Sequence, residues 1–241
     1  MKMFNSYKKV AVDLSWVQLV WTAWFLAIVF LIYFLFRFIG GEVTINSQNL
    51  DTHSFLTFAY HPSKIFMLVI GIISVSGFLT FFAKQGVTRK NYFYGAAISS
   101  CVVSIIIMVA AVLITAIEQF INPADATVLF LGPESTMLSS VLTFTLNIQV
   151  YFMAGWIIGA GFYRLGGFGG ILYIVLAIIF IAVSDDILWE SEMKTPVKML
   201  LNIDVMWKPP LAFSTIGSVV LISAMLVIVR FTTKRVRIKM K

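Results

Sequence analysis

Six long apolar runs constrain this chain more than any other feature: Trp16 to Ile39, Ile65 to Phe82, Tyr92 to Phe120, Met137 to Phe162, Phe168 to Val183 and Leu211 to Phe231. A helix needs about 20 apolar residues to cross a hydrocarbon layer of about 30 Å. Backbone in lipid must satisfy its own hydrogen bonds, so runs of this length read as spanning helices rather than open strands. Composition agrees: 60% of the 241 residues are hydrophobic and 12% charged, where a soluble domain has about 45–50% and 25%. That excludes a soluble enzyme. The expected fold is an all-α polytopic membrane protein, one domain over residues 1–241 with six spans.

The formal charge of +7 sorts by loop. Lys2, Lys8, Lys9, Lys84, Arg89, Lys90, Arg164, Arg230, Lys234, Arg235, Arg237, Lys239 and Lys241 fall on one side, with Asp13 the one acid. Arg37, Lys64, Lys194, Lys198 and Lys208 fall on the other, with Glu42, Asp51, Glu118, Asp125, Glu134, Asp185, Asp186, Glu190, Glu192 and Asp204. The basic excess marks the cytoplasmic side, so both termini are expected there, as an even span count also requires. The charge records orientation and implies no nucleic-acid surface. The first run is too long for the h-region of a cleaved leader, so that span is expected to stay.

Several segments depart from a plain bundle. Met3, Phe4, Tyr7, Val10, Ala11 and Leu14 recur at helical spacing opposite Asn5, Ser6, Lys8, Lys9 and Asp13, which suits a short interfacial helix before the first span. Between the second and third spans, Gly86 is placed to end one helix in a left-handed conformation and Thr88 to cap the next, making a compact basic corner. The fifth run is only 16 residues, short for a crossing, and the apolar parts of residues 184–210 are expected to complete it as a re-entrant or interfacial segment. Gly155 and Gly159 form a GxxxG face for close helix packing. Gly166, Gly167, Gly169 and Gly170 suit a tight turn between the fourth and fifth spans.

Chemistry is sparse. Arg37, Lys64, Glu118 and Arg230 lie at expected span ends, where they can snorkel to the interface. Asn147 and Gln149, inside the fourth span, either hydrogen-bond between helices or line a polar translocation path. His53 and His61 fall in the first outer loop, with His61-Pro62 reading as a turn. Asp185 and Asp186 with Glu190 and Glu192 read as a solvated acidic patch, and Cys101 as a small packing residue. No catalytic set, cofactor site or metal site is expected. There is no GxxxxGK[ST] motif, so the chain has no P-loop of its own and is not expected to be an enzyme.

The order of these features resembles the membrane (permease) subunits of type-2 ATP-binding-cassette exporters, the small Gram-positive kind with a separately encoded ATPase. The residues that carry the resemblance most specifically are Lys84-Gln85-Gly86-Val87-Thr88-Arg89-Lys90-Asn91-Tyr92-Phe93, similar to the Gly-Val-(Ser/Thr)-Arg pattern at that position in many such permeases. The resemblance implies that Gly86, Val87, Thr88, Arg89 and Lys90 form a coupling helix seated on a P-loop ATPase, present in two copies with its ATP and Mg. It also implies a homo- or heterodimer of permease subunits in the cell membrane. Scarce charge in the spans points to a hydrophobic or amphipathic cargo such as a peptide, lipid or drug. Two other readings stay open: a non-transporting binding or assembly component, and the substrate-capture subunit of an energy-coupled importer.

Overall fold

The computed structural model describes residues 6–39, 44–45, 48–49, 54–121, 137–188 and 210–234. The fold is all-α. Five helices are long and apolar enough to cross a membrane: α1 (Ser6–Ile39), α2 (Phe55–Lys84), α3 (Arg89–Ile121), α4 (Met137–Ala182) and α5 (Leu211–Thr233). A two-residue antiparallel ladder pairs β1 (Thr44–Ile45) with β2 (Gln48–Asn49) between α1 and α2, in the register Thr44 to Asn49.

α1 is a single helix of 34 residues. The described part of the interfacial helix expected before the first span, Tyr7 to Leu14, forms its first turns, while Met3 and Phe4 lie outside the described residues. No glycine or proline interrupts residues 6–39, and nothing else in that stretch would break a helix. Val10, Ala11 and Leu14 are buried there, and a Cβ on Gly95 of α3 would come within 2.7 Å of Val10 Cγ1. The start of α1 therefore packs on α3, held by tertiary contact as well as by any membrane surface.

α2 starts ten residues before the apolar run suggested, at Phe55, and this corrects two expectations. His61 lies inside the helix rather than in a loop, and His61-Pro62 is not a turn. Proline in a helix interior removes one hydrogen bond and normally ends or kinks the helix. Here the helix start is supplied by its neighbour: the Phe55 N–H donates to Glu118 Oε2 at 3.1 Å and the Leu56 N–H to Thr115 Oγ1 at 3.0 Å, both on α3. Two of the four orphan donors at a helix N-terminus are thereby satisfied by side chains 63 and 59 residues away. Glu118, expected to snorkel, is the cap that lengthens α2. Toward its other end α2 widens into a π-helical stretch, Ser74–Leu79, before closing with Thr80–Lys84. The Tyr92 hydroxyl of α3 donates to the Ser74 carbonyl there.

α4 is a helical hairpin. Its 46 residues are broken by the non-helical Gly166 (φ 74°, ψ −161°), a conformation open mainly to glycine. A straight helix would hold Asn147 and Asp185 about 57 Å apart, yet the Asn147 amide donates to Asp185 at 2.8 Å. The two arms, residues 137–165 and 167–182, thus lie side by side, and the second runs on into a π-helical turn, Val183–Leu188. The expected glycine turn is where the sequence placed it. The rest of the expected re-entrant segment, residues 189–209, lies outside the described residues.

The first arm of α4 is the centre of the bundle: Phe144, Phe152, Met153 and Trp156 are fully buried. α2 packs along it most extensively, α5 lies on α4, and α1 lies on α3. A Cβ on Gly155 would sit 2.0 Å from the Leu68 carbonyl oxygen, on Gly159 2.5 Å from the Ile72 oxygen, and on Gly71 2.2 Å from the Phe152 oxygen. The GxxxG face is used within the chain, bringing the backbones of α2 and α4 into contact. Outward faces are apolar, with Trp16, Trp24, Ile65, Ile117 and Phe168 exposed, while Gln18, Ser99, Ser100, Ser104 and Gln149 are buried. Polar inside and apolar outside is the arrangement lipid selects. Cys101 faces outward and is not a packing residue.

Candidate functional site

Two places concentrate polar chemistry: the corner between α2 and α3, and a charged cluster buried among α2 and both arms of α4.

The corner follows from local rules. Gly86 adopts φ +80°; its N–H donates to the Ala83 carbonyl at 3.0 Å and the Val87 N–H to the Phe82 carbonyl at 3.1 Å. This pair of bonds is a Schellman motif, which satisfies the orphan carbonyls at the end of α2. Val87, the residue after the glycine, is half-buried against the core, supplying the hydrophobic contact that usually accompanies the motif. Thr88 Oγ1 then accepts from the Asn91 N–H at 3.3 Å, an N-cap bond that starts α3. Only a few residues reverse the chain, with no separate helix between α2 and α3.

The five candidate residues divide by direction. Gly86, Thr88 and Lys90 are exposed, and Val87 points inward. Arg89 Nη1 donates to the Lys234 carbonyl at 3.3 Å, just past α5. Arg164, beside the α4 turn, donates to the Phe231 and Thr232 carbonyls at 3.4 and 3.3 Å. Two guanidinium groups thus cover the electronegative C-terminus of α5, and Tyr173 reaches Thr232 at 3.1 Å. The corner, the hairpin turn and the end of α5 form one tied, basic end of the bundle. Arg230 lies over the Phe93 ring at 5.3 Å.

Farther along the bundle, polar side chains pair between helices. Gln149 on α4 donates through Nε2 to Ser100 at 2.8 Å and accepts at Oε1 from Ser104 at 2.7 Å. Ser99 donates to Gln18 of α1 at 2.7 Å and accepts from Ser15 at 3.0 Å. Gln149 is therefore placed in an interhelical network between α3 and α4.

Asn147 belongs to something the sequence did not reveal. Lys64 of α2 and Asp185 at the end of the second arm are each only 4% exposed, so neither snorkels and Asp185 is not part of a solvated patch. Lys64 Nζ is 3.4 and 3.3 Å from the two Asp185 oxygens. Asp185 takes shorter bonds from neutral donors, 2.8 Å from Asn147 Nδ2 and 2.6 Å from the Tyr151 hydroxyl. The ammonium lies 4.3 Å from the centre of the Tyr60 ring and 5.0 Å from that of Tyr151. Asn147 Oδ1 and Ser184 Oγ are buried without a hydrogen-bond partner among the described residues.

Depth follows from helix rise. Lys64 lies 20 residues from Lys84, and Asn147 and Asp185 each lie 19 residues from Gly166, so all three stand about 28–30 Å from the basic end. That is about the length of one crossing, and an ionic pair buried between helices of spanning length is a functional-site signal in its own right. One sequence cue bears on it: the fifth run is about four residues short of a crossing, and extending the helix by that much takes in Ser184 and Asp185.

Among the described residues no group of three His, Cys, Asp or Glu side chains could hold a metal. No protein-family model, curated protein or solved structure matches the chain.

Proposed function

We propose that the chain is the membrane subunit of an ATP-driven transporter, working as a dimer with two copies of a separate P-loop ATPase that supplies ATP and Mg chemistry. In this reading the α4 hairpin crosses twice and makes the spans six, the basic end with both termini faces the cytoplasm, and residues 189–209 re-enter the outer leaflet of the cell membrane. The cargo is hydrophobic or amphipathic. The observation that carries the reading is the corner at residues 85–90. It is short, locked by the Schellman bonds and the Thr88 cap, displays Lys90 outward, and is tied through Arg89 to the end of α5. A stiff basic projection joined to several spans at once is what a partner needs in order to move them together, and its charge suits an acidic groove.

Lys90→Glu tests this reading. Lys90 is exposed, so its reversal should weaken ATPase association while leaving thermal stability unchanged; undiminished co-purification of the ATPase with this variant contradicts the reading. Arg89 is a poorer probe because its replacement also removes the bond to Lys234. A second reading, a substrate-capture subunit, draws on the buried cluster at Lys64 far from the basic end. It requires a ligand retained through purification and no direct ATPase contact.

A further inference from the structure

The cluster around Lys64 has the parts of an ammonium receptor. A carboxylate supplies charge, and it is already held by Asn147 and Tyr151 at 2.8 and 2.6 Å. Two tyrosine rings face the cation at 4.3 and 5.0 Å, the aromatic setting in which ammonium groups are bound. Two buried acceptors, Asn147 Oδ1 and Ser184 Oγ, have no partner among the described residues. The guest now present is the protein's own Lys64, and it is held loosely: 3.3–3.4 Å to Asp185, against about 2.7–2.9 Å for a well-formed charge-assisted bond.

We infer that Asp185, Tyr60, Tyr151 and Asn147 form a binding site for the ammonium head of an organic cation, in which Lys64 is a displaceable tethered occupant. Aromatic faces favour an organic ammonium over a metal ion, which would require oxygen ligands in their place. The depth selects an amphiphile. At about 28–30 Å from the basic end the site lies near the far boundary of the hydrocarbon layer, where the head of a lipid-dissolved alkylammonium resides. Ile65, next in sequence to Lys64, is exposed on the outward face, so the site is within one helix width of lipid. Binding does not depend on an ATPase; the role of the ligand as cargo rests on the permease reading.

The test is chemical rescue of the full-length protein in detergent. Lys64→Ala removes the three carbons and nitrogen of n-propylammonium, and should lower the midpoint of thermal unfolding. Added n-propylammonium chloride should raise it again, by about 3–5 °C at tenfold excess over its dissociation constant. Propanol and sodium chloride should not, and the rescue should vanish in Lys64→Ala/Asp185→Asn. Should Lys64→Ala fail to fold, Lys64→Met keeps the apolar stem, lacks only the nitrogen, and is tested with ammonium chloride. For the wild type in nanodiscs, saturable dodecylammonium binding competed by n-propylammonium is expected. Absence of rescue in whichever variant folds overturns the proposal, as does equal rescue by sodium chloride. If neither variant folds, absence of competed binding to the wild type overturns it. All of these measurements omit the ATPase, and Lys90→Glu should leave them unchanged, so failure here is separable from failure of the permease reading.

Discussion

Replacing Gly155 by alanine tests the packing at the centre of the bundle. An added Cβ would lie 2.0 Å from the Leu68 carbonyl oxygen, 2.9 Å from its carbon and 3.0 Å from the Ile72 nitrogen. All three are backbone atoms of α2, so no side chain can rotate away. Restoring ordinary contact requires the helices to separate by about 1.4 Å, and a gap of even 0.5–1 Å forfeits a quarter to a half of each dispersion contact across the interface. Overpacking of this kind costs about 1–3 kcal/mol or more. Helix propensity opposes it, since alanine is better than glycine by about 1 kcal/mol in a helix interior. Gly167→Ala provides the control, because nothing lies within 4 Å of its Cβ position. In equilibrium unfolding in mixed micelles, followed by tryptophan emission, Gly155→Ala should be about 1–3 kcal/mol less stable than Gly167→Ala. A Gly155→Ala protein as stable as the control, or more stable than wild type, would refute the close approach of α2 and α4.

Four further outcomes follow from the same geometry. Lys64→Met and Asp185→Asn each leave one buried charge unpaired and should each cost about 3–5 kcal/mol, whereas the double variant should cost much less than their sum; additivity in a double-mutant cycle would refute the ion pair. Gly86→Ala should cost about 1 kcal/mol from its left-handed φ alone, and Gly86→Asn less; equal stability of wild type and both variants would count against the Schellman turn. Pro62→Ala restores a backbone donor inside α2 and should stabilise by about 1 kcal/mol or more, read as a raised unfolding midpoint; a lowered midpoint would contradict it. Gln149→Leu should cost only about 0.6–1 kcal/mol, the usual size of an interhelical polar contact in a membrane. Without Gln149 the single Ser104 hydroxyl proton goes to the Ser100 carbonyl, and Ser100 keeps its bond to the Ala97 carbonyl, so a loss of several kcal/mol would point to a larger role for Gln149.

Local rules made the α2–α3 corner and the α4 turn legible. A left-handed Gly86, a capping Thr88 and a glycine break at Gly166 depend on residues a few positions apart, and the GxxxG pattern at Gly155 and Gly159 likewise marks a face on one helix. Contacts between distant segments were illegible. The start of α2 at Phe55 depends on Glu118 and Thr115 of α3, so His61-Pro62 read as a loop turn when only its neighbours were considered. The pairing of Lys64 with Asp185 spans 121 residues; alone, Lys64 looks like a charge at a span end and Asp185 like one of a solvated acidic patch. The continuity of α1 was hidden for a different reason: amphipathic spacing describes which face is apolar, and the same face serves a membrane surface or the flank of α3.

We propose that a separate ATPase moves these helices through the corner at residues 85–90. Purification of the intact protein from its native membrane in mild detergent, with stoichiometric identification of what comes with it, tests that claim most directly. On that proposal a P-loop ATPase is recovered in a one-to-one ratio with the membrane subunits, two of each per complex. Recovery of the folded protein without any nucleotide-hydrolysing partner, across detergents that preserve its oligomeric state, would contradict it.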